Sequence, residues 1–208
     1  MKEKLYIAYG SNLDQRQMAR RCPTAEVVCS GMLYGHELLF RGSQFGAVAT
    51  VVPKPGACVP VLVWKIKPSD ERALDLYEGF PHLYRKENLS VTMDGGERDI
   101  MAYVMTGERE YGVPARSYYE TIARGYADAG FDIGVLNEAV QESVRRMLDE
   151  NGEAPGSIDG ERCFRMEFVM EASEAMPKQL YVKLYNLDTN EYGKTVVIPL
   201  TPVESEEQ

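Results

Sequence analysis

The sequence predicts an α+β protein made of a mixed body of helices and strands and a small β-rich module that follows it. Three observations support this division. Helical hydrophobic spacing alternates with β-rich runs as far as residue 150. Residues 151–160 are then rich in Gly, Pro and acidic side chains, which is typical of a linker. Residues 161–208 contain β-rich runs without a helical pattern, so the predicted domains are residues 1–150 and 161–208.

The body begins with a predicted strand and helix that meet at one turn. Residues 5–9 (LYIAY) form a short apolar run typical of a buried strand. Residues 13–22 have helical spacing, and we expect Ser11 or Asn12 to cap that helix, because both side chains accept hydrogen bonds from backbone N–H groups.

The middle of the body is predicted to be mainly β structure. The expected strands are two around Gly31 and Gly35 within residues 26–40, then residues 47–52, 59–66, 84–93 and 98–105. Residues 53–56 are expected to form a turn between two of them, and the Asp-Gly-Gly sequence at 94–96 a hairpin. One helix, residues 69–78, lies between these strands, with Ser69 as its expected cap.

Two more helices are predicted at residues 115–129 and 135–150, followed by three strands in the module at 161–172, 179–187 and 194–200. The module has only about fifty residues, too few to bury a large core by itself. We therefore expect it to pack on the body or on a partner, which leaves a protein partner and self-association both open.

Composition excludes several classes of function. Of the 208 residues 44% are hydrophobic, which is enough for a real core, and the net charge of −9 disfavours nucleic acid and anionic membranes as partners. No segment approaches the roughly 20 apolar residues of a membrane helix, and the apolar run at 5–9 is too short for a signal peptide. We therefore expect a cytoplasmic protein.

The cysteines and histidines predict neither disulfides nor a metal site. The four cysteines are scattered without C-x-x-C spacing, so we expect free thiols in a reducing compartment. His36 and His82 lie far apart and make no cluster of metal-ligand type.

Glu78 is a candidate catalytic residue because local helix physics does not favour an acid at its position. It lies in the last turn of a predicted helix, just before Gly79, where it faces the negative end of the helix dipole. It also follows Leu74, a predicted core residue, by four residues and so lies on the same face of the helix. Partial burial and the dipole should both raise its pKa, which suits general acid–base chemistry. The alternative is a solvated glutamate at a frayed helix end.

The turn that follows the first strand is a candidate ligand-binding loop. Its backbone N–H groups lack helical partners, and the helix dipole there favours an anion. Gly10 permits close approach of a ligand, and the Ser11 hydroxyl could help to hold a carboxylate. An ordinary capped turn is the alternative.

Several sequence blocks, taken in order, resemble the gamma-glutamylcyclotransferase-like family over roughly residues 4–130. The blocks are YIAYGSNL at residues 6–13, GAVAT at 46–50, VLVWKI at 61–66, LDLYEG at 74–79 and the pair Tyr84-Arg85. The Y-G-S-N-L and L-D-x-x-E-G motifs at this separation are specific to the family, whereas a four-residue turn alone would be weak evidence. Residues 155–208 lie outside the resemblance.

The resemblance implies a small mixed β-barrel with flanking helices, acting on γ-glutamyl compounds without a cofactor or metal. In the implied reaction the α-amine of the glutamyl group attacks its own γ-amide carbonyl, which forms 5-oxoproline and releases the amine.

The resemblance also implies roles for particular residues. Glu78 matches the family's acid/base glutamate, and Tyr118 is the best match to a tyrosine that contacts substrate, although Tyr119 is one residue away. The residues that match the substrate-cradling loop are Tyr9, Gly10, Ser11, Asn12 and Leu13.

The sequence departs from the family after Gly79, where Phe-Pro-His-Leu-Tyr replaces a stretch that often has a glycine before the tyrosine. Pro81 stiffens this loop, which leaves the identity of the leaving amine open between an amino acid, a simple amine and a larger metabolite. Non-catalytic binding of a glutamyl-like ligand and recruitment of a partner by the module are the alternative functions.

Overall fold

A computed structural model of the protein describes residues 3–43, 46–150, 164–169, 179–186 and 191–199. The chain divides into two compact units, Met1–Val144 and Arg145–Gln208. The predicted linker, residues 151–160, lies outside the described residues, so the predicted domain division stays a prediction.

The first unit is built on a closed five-stranded barrel with the strand order β1-β3-β2-β4-β5. Its strands are β1 (Lys4–Ala8), β2 (Glu26–Arg41), β3 (Val48–Ile66), β4 (Tyr84–Met93) and β5 (Gly96–Met105). Neighbouring strands are antiparallel, except that β1 and β5 close the barrel in parallel where Tyr6 pairs with Met101. The expected α+β class and the small mixed barrel are confirmed.

The long hairpin of β2 and β3 replaces the four shorter strands that the sequence predicts. Its register moves from His36 opposite Pro53 to Tyr34 opposite Cys58, so residues 54–57 bulge out of a ladder that continues on both sides. The predicted turn at 53–56 was therefore wrong: Pro and Gly there produce a bulge within one strand and not a reversal.

The helices are α1 (Gln15–Arg21), α2 (Pro68–Tyr77), α3 (Arg116–Ala129) and α4 (Ile133–Glu150), at the four places the sequence predicts. The cap of α1 differs from the expectation, because Ser11–Leu13 forms a separate 3₁₀ turn. Asp14 caps α1 instead, and its Oδ1 accepts from the N–H of Arg16 at 2.9 Å. The Asn12 side chain is thereby left for other contacts.

The start of α2 also differs, since this helix begins at Pro68 and Ser69 lies inside it. Asp70, in the first turn, reaches back and accepts through Oδ2 from the backbone N–H of Lys67 at 2.9 Å. This contact satisfies a backbone donor that precedes the helix.

Helix α3 packs closely on the 3₁₀ turn at Gly125. A Cβ atom at this position would lie 2.7 Å from the carbonyl carbon of Leu13 and 3.0 Å from the Asp14 nitrogen. Arg124 fixes the same contact through an ion pair of 3.0 Å with the buried Asp14. The position of α3, and of any side chain it carries, therefore depends on the turn.

The second unit contains a three-stranded antiparallel sheet in the order β6-β7-β8. These strands are β6 (Phe164–Val169), β7 (Gln179–Asn186) and β8 (Glu191–Pro199), close to the three predicted runs. Within the described ranges of both units, no helix is long and apolar enough to cross a membrane.

Candidate active site

A cavity of about 240 Å³ lies at one end of the barrel, where the 3₁₀ turn meets the end of α2. It is lined by Tyr6, Tyr9, Gly10, Ser11, Asn12, Val48, Ala49, Tyr77, Glu78, Leu83, Tyr84, Tyr103 and Tyr118. The structure thus brings together six of the seven candidate site residues. Leu13 is not among the lining residues, because its side chain is fully buried in the core.

Glu78 reaches the cavity because it is the residue at which α2 ends. Its backbone N–H still donates to the Leu74 carbonyl at 2.8 Å, whereas Gly79 takes a left-handed conformation with φ of 61°. The chain turns away at this glycine, and the Glu78 carboxyl accepts a hydrogen bond of 2.7 Å from Asn12 Nδ2. This contact joins the two sequence motifs across the cavity.

Burial raises the pKa of Glu78 from its ordinary value of 4.5 to about 7, against the lowering effects of the Arg21 charge and the Asn12 hydrogen bond. The direction predicted from the sequence is confirmed, and burial is its largest cause. A carboxyl group with this pKa is present in both protonation states at neutral pH. It can therefore accept a proton and later return one.

The 3₁₀ turn presents backbone donors beside Glu78. Its own hydrogen bonds run from Leu13 N to Gly10 O and from Asp14 N to Ser11 O, at 3.0 and 3.1 Å. The N–H groups of Ser11 and Asn12 precede these bonds and therefore have no partner within the turn. Gly10 allows the close packing, because a Cβ there would lie 3.2 Å from Ala49 Cβ.

Tyrosine hydroxyls are fixed to the barrel backbone around the cavity. The Ala49 N–H donates to Tyr118 Oη at 3.2 Å, and Tyr84 Oη donates to the Ala49 carbonyl at 2.6 Å. Tyr9 donates in the same way to the Tyr103 carbonyl. Burial raises the pKa of Tyr118, so its hydroxyl is neutral and can donate at physiological pH.

The two candidate tyrosines of α3 have different environments. Tyr118 lines the cavity, whereas Tyr119 Oη donates to Asn137 Oδ1 at 2.6 Å in an exposed contact between α3 and α4. The register that the sequence leaves open therefore places Tyr118, and not Tyr119, beside Glu78.

Other residues of the site were not found from the sequence. The guanidinium of Arg21 lies 3.1 Å from the centroid of the Tyr77 ring and donates to Asn12 Oδ1. Tyr6 accepts from Asn12 Nδ2 at 2.8 Å. The sequence could have indicated Tyr77 as a site residue, because it directly precedes Glu78. The spacing between Asn12 and Arg21 gives no comparable indication that their side chains meet.

The remaining residue types considered from the sequence lie elsewhere. Neither His36 nor His82 lines the cavity, and the described residues contain no group of three metal-ligating side chains of the kind that holds a metal. Cys22, Cys29 and Cys58 are free thiols, while Cys163 falls outside the described residues.

The chain is similar to several known proteins. A family model described as gamma-glutamyl cyclotransferase, AIG2-like, matches residues 6–121. Gamma-glutamylcyclotransferase of Mus musculus is 30% identical over 180 residues, which are 82% of this chain and 89% of that protein. The Homo sapiens protein of the same name is 33% identical over 138 residues, 62% of this chain and 73% of that protein.

A solved structure named gamma-glutamyl cyclotransferase superposes with a TM-score of 0.58 and 27% identity, covering 77% of this chain and 93% of that one. The segment matched by the family model contains both motifs that meet in the cavity, the turn and the end of α2. The chain therefore belongs to the gamma-glutamyl cyclotransferase, AIG2-like family.

Proposed function

We propose that this protein converts a γ-glutamyl amino acid or γ-glutamyl amine into 5-oxoproline and the free amine. The observation that carries the proposal is the placement of the Glu78 carboxyl, with a pKa raised by burial to about 7, in one cavity with the donors of the 3₁₀ turn. The relatives from Homo sapiens and Mus musculus, which are 33% and 30% identical to this chain, carry the name of this activity.

Glu78 acts as both base and acid in the proposed reaction. Its carboxylate takes a proton from the α-ammonium of the glutamyl group, and the free amine attacks the γ-carbonyl carbon of the same molecule. A carbon–nitrogen bond forms and closes the five-membered ring. The bond to the leaving nitrogen then breaks as Glu78 returns the proton to that nitrogen. The ring nitrogen loses its remaining extra proton to the released amine, which departs as an ammonium ion, so the enzyme ends in its starting state.

The turn stabilises negative charge during these steps. The N–H groups of Ser11 and Asn12 can bind either the glutamyl α-carboxylate or the oxyanion that develops on the γ-carbonyl oxygen. The neutral hydroxyl of Tyr118, which lies beside Gly10 at the start of the turn, is a further donor for the substrate. No nucleophilic side chain is needed, because the substrate supplies its own amine.

Ring closure also requires the extended glutamyl chain to fold. The cavity walls are rigid, since Tyr84, Tyr118 and Tyr9 are each hydrogen-bonded to barrel backbone. Holding the amine near the carbonyl in such a cavity converts a rare conformation into the bound one, and effects of this kind contribute several kcal/mol to a rate.

The test is release of 5-oxoproline from a panel of γ-glutamyl dipeptides and γ-glutamyl amines. We expect turnover by the wild type and a loss of about 10²–10⁴-fold in Glu78→Gln, the range usual for removal of a general acid–base group. The exposed Glu97→Gln is the matched control and should keep full activity. Tight binding of 5-oxoproline without turnover of any substrate would instead favour a binding protein.

We propose that residues 161–208 form a separate module, joined to the body by residues 151–160. Its three-stranded sheet supports this, because β6, β7 and β8 pair only with one another in the described part of the chain. We propose a protein partner or self-association as its role, and a cytoplasmic location in keeping with the free thiols at Cys22, Cys29 and Cys58. Light scattering of the full chain tests self-association.

A further inference from the structure

We propose that Arg21 is a positioning residue, which holds the Asn12 side-chain amide in the one orientation that donates a hydrogen bond to Glu78. The proposal rests on the proposed function, because it assigns Arg21 a part in preparing Glu78 for proton transfer. Arg21 does not line the cavity and is not proposed to touch substrate.

The geometry of Asn12 makes its orientation matter. Its Nδ2 donates both to Glu78 Oε1 at 2.7 Å and to Tyr6 Oη at 2.8 Å, which uses both of its N–H groups. Its Oδ1 accepts from Nη1 of Arg21. Since a guanidinium can only donate, Arg21 is satisfied only when the amide oxygen faces it.

Rotation of the amide by half a turn would reverse these contacts. The amide oxygen would then face the Glu78 carboxylate, acceptor against acceptor, and only a protonated Glu78 could donate to it. The flipped arrangement would therefore disfavour the ionised form that the proposed reaction needs as its base. Arg21 excludes the flip, because its N–H groups would then face the NH₂ group of Asn12.

Arg21 is itself held in place from two sides. Its guanidinium stacks on the Tyr77 ring, 3.1 Å from the ring centroid, and Nη2 donates to Gln17 Oε1 at 3.4 Å. Tyr77 in turn shares a hydrogen bond of 2.9 Å with the Ser11 hydroxyl. The planar side chain thus ties the end of α1, the 3₁₀ turn and the end of α2 together, which a lysine could not reproduce.

The charge of Arg21 and the Asn12 hydrogen bond that Arg21 orients both lower the pKa of Glu78. Burial raises the pKa of Glu78, and the Arg21 cation is the charged side chain that lowers it, together with the Asn12 hydrogen bond. The other titratable groups that face the carboxyl are the tyrosines of the lining, Tyr6, Tyr9, Tyr77, Tyr84, Tyr103 and Tyr118. Tyrosines are neutral at physiological pH, so they supply no compensating charge.

The experiment compares Arg21→Met and Arg21→Lys with the control Arg20→Met, which removes an exposed arginine of the same helix. The pKa of Glu78 is read directly by ¹³C NMR titration of labelled glutamate carboxyls, with the signal assigned by Glu78→Gln. The pH dependence of kcat/KM for 5-oxoproline release is measured beside it.

For Arg21→Met we expect the Glu78 titration and the acid limb of the pH–rate profile to move up together by about one pH unit. Arg21→Lys keeps the charge without the planar fork, so the titration should move up by less than in Arg21→Met, and kcat should fall about tenfold. Arg20→Met should change neither. Because Arg21 acts through Asn12, kcat should fall no further when Arg21→Lys is added to Asn12→Ala.

An unchanged Glu78 titration in Arg21→Met would overturn the proposal, as would additive effects of Arg21→Lys and Asn12→Ala on kcat. A purely structural role would lower the melting temperature without moving the titration. If Arg21→Met fails to fold, the kcat values of Arg21→Lys, Asn12→Ala and the double variant still test the proposal. The NMR arm needs no turnover, so a wild type that releases no 5-oxoproline defeats the proposed function while the effect of Arg21 is still measured.

Discussion

Replacing Glu78 with glutamine should make the protein more stable at alkaline pH at the same time as it removes activity. The folded protein holds a proton on Glu78 up to a pKa of about 7, whereas the ordinary value is 4.5. Between these values the unfolded chain has released a proton that the folded protein still binds, so stability falls as pH rises. Each pKa unit corresponds to about 1.4 kcal/mol, so the full loss is about 3 kcal/mol.

Glutamine has nearly the same shape, can still accept from Asn12 Nδ2, and does not titrate. The measurement is the free energy of urea unfolding of wild type, Glu78→Gln and the control Glu97→Gln at about pH 5, 6, 7 and 8. The advantage of Glu78→Gln over the wild type should grow by about 2–3 kcal/mol from pH 5 to pH 8, while the Glu97→Gln difference stays flat. A Glu78→Gln advantage that does not change with pH would show that burial does not perturb this carboxyl.

Three further outcomes follow from the packing and lining of the cavity. Gly125→Ala should destabilise the protein by about 1–3 kcal/mol and lower kcat/KM by up to about 10²-fold, because the added methyl displaces the backbone of the turn at Leu13. Gly134→Ala, whose methyl would meet only side-chain atoms of Asp132, is the control, and equal effects of the two substitutions would refute the argument. Tyr118→Phe should lower kcat/KM about tenfold and Tyr119→Phe should not, so equal losses would contradict the assigned register. Substrates with an acidic leaving group should be turned over more slowly than neutral isosteres, because none of the described lining residues is Lys or Arg. Faster turnover of the acidic substrates would contradict this prediction.

Features that depend on a few neighbouring residues could be predicted from the sequence. The pKa direction of Glu78 follows from its place between Leu74 and Gly79 on a helix, and the structure retains that placement. The β4–β5 hairpin follows equally from its Asp-Gly-Gly turn. The cap of α1 was missed because Ser11, Asn12 and Asp14 are all good caps, and sequence alone does not choose among them.

Features that depend on contacts between distant segments could not be predicted in the same way. Gly125 lies in the middle of a helix, where glycine is locally unfavourable, and only its approach to Leu13 explains it. Arg21 in the last turn of α1 is fully accounted for by the helix dipole, so nothing local indicates its bond to Asn12. The resemblance to a known family identified which segments meet, and the structure shows the side chains that connect them.

The pKa of Glu78 reflects a balance between burial, which raises it, and the Arg21 charge and Asn12 hydrogen bond, which lower it. If Arg21 and Asn12 stabilised the carboxylate more strongly, its pKa would approach the ordinary value, and little of the acid form would be present to return a proton to the leaving nitrogen. If they were absent, burial alone would keep Glu78 protonated, and the substrate ammonium would lack a base. A tyrosine-rich lining suits this balance, because neutral hydroxyls bind substrate without adding charge that would move the carboxyl in either direction.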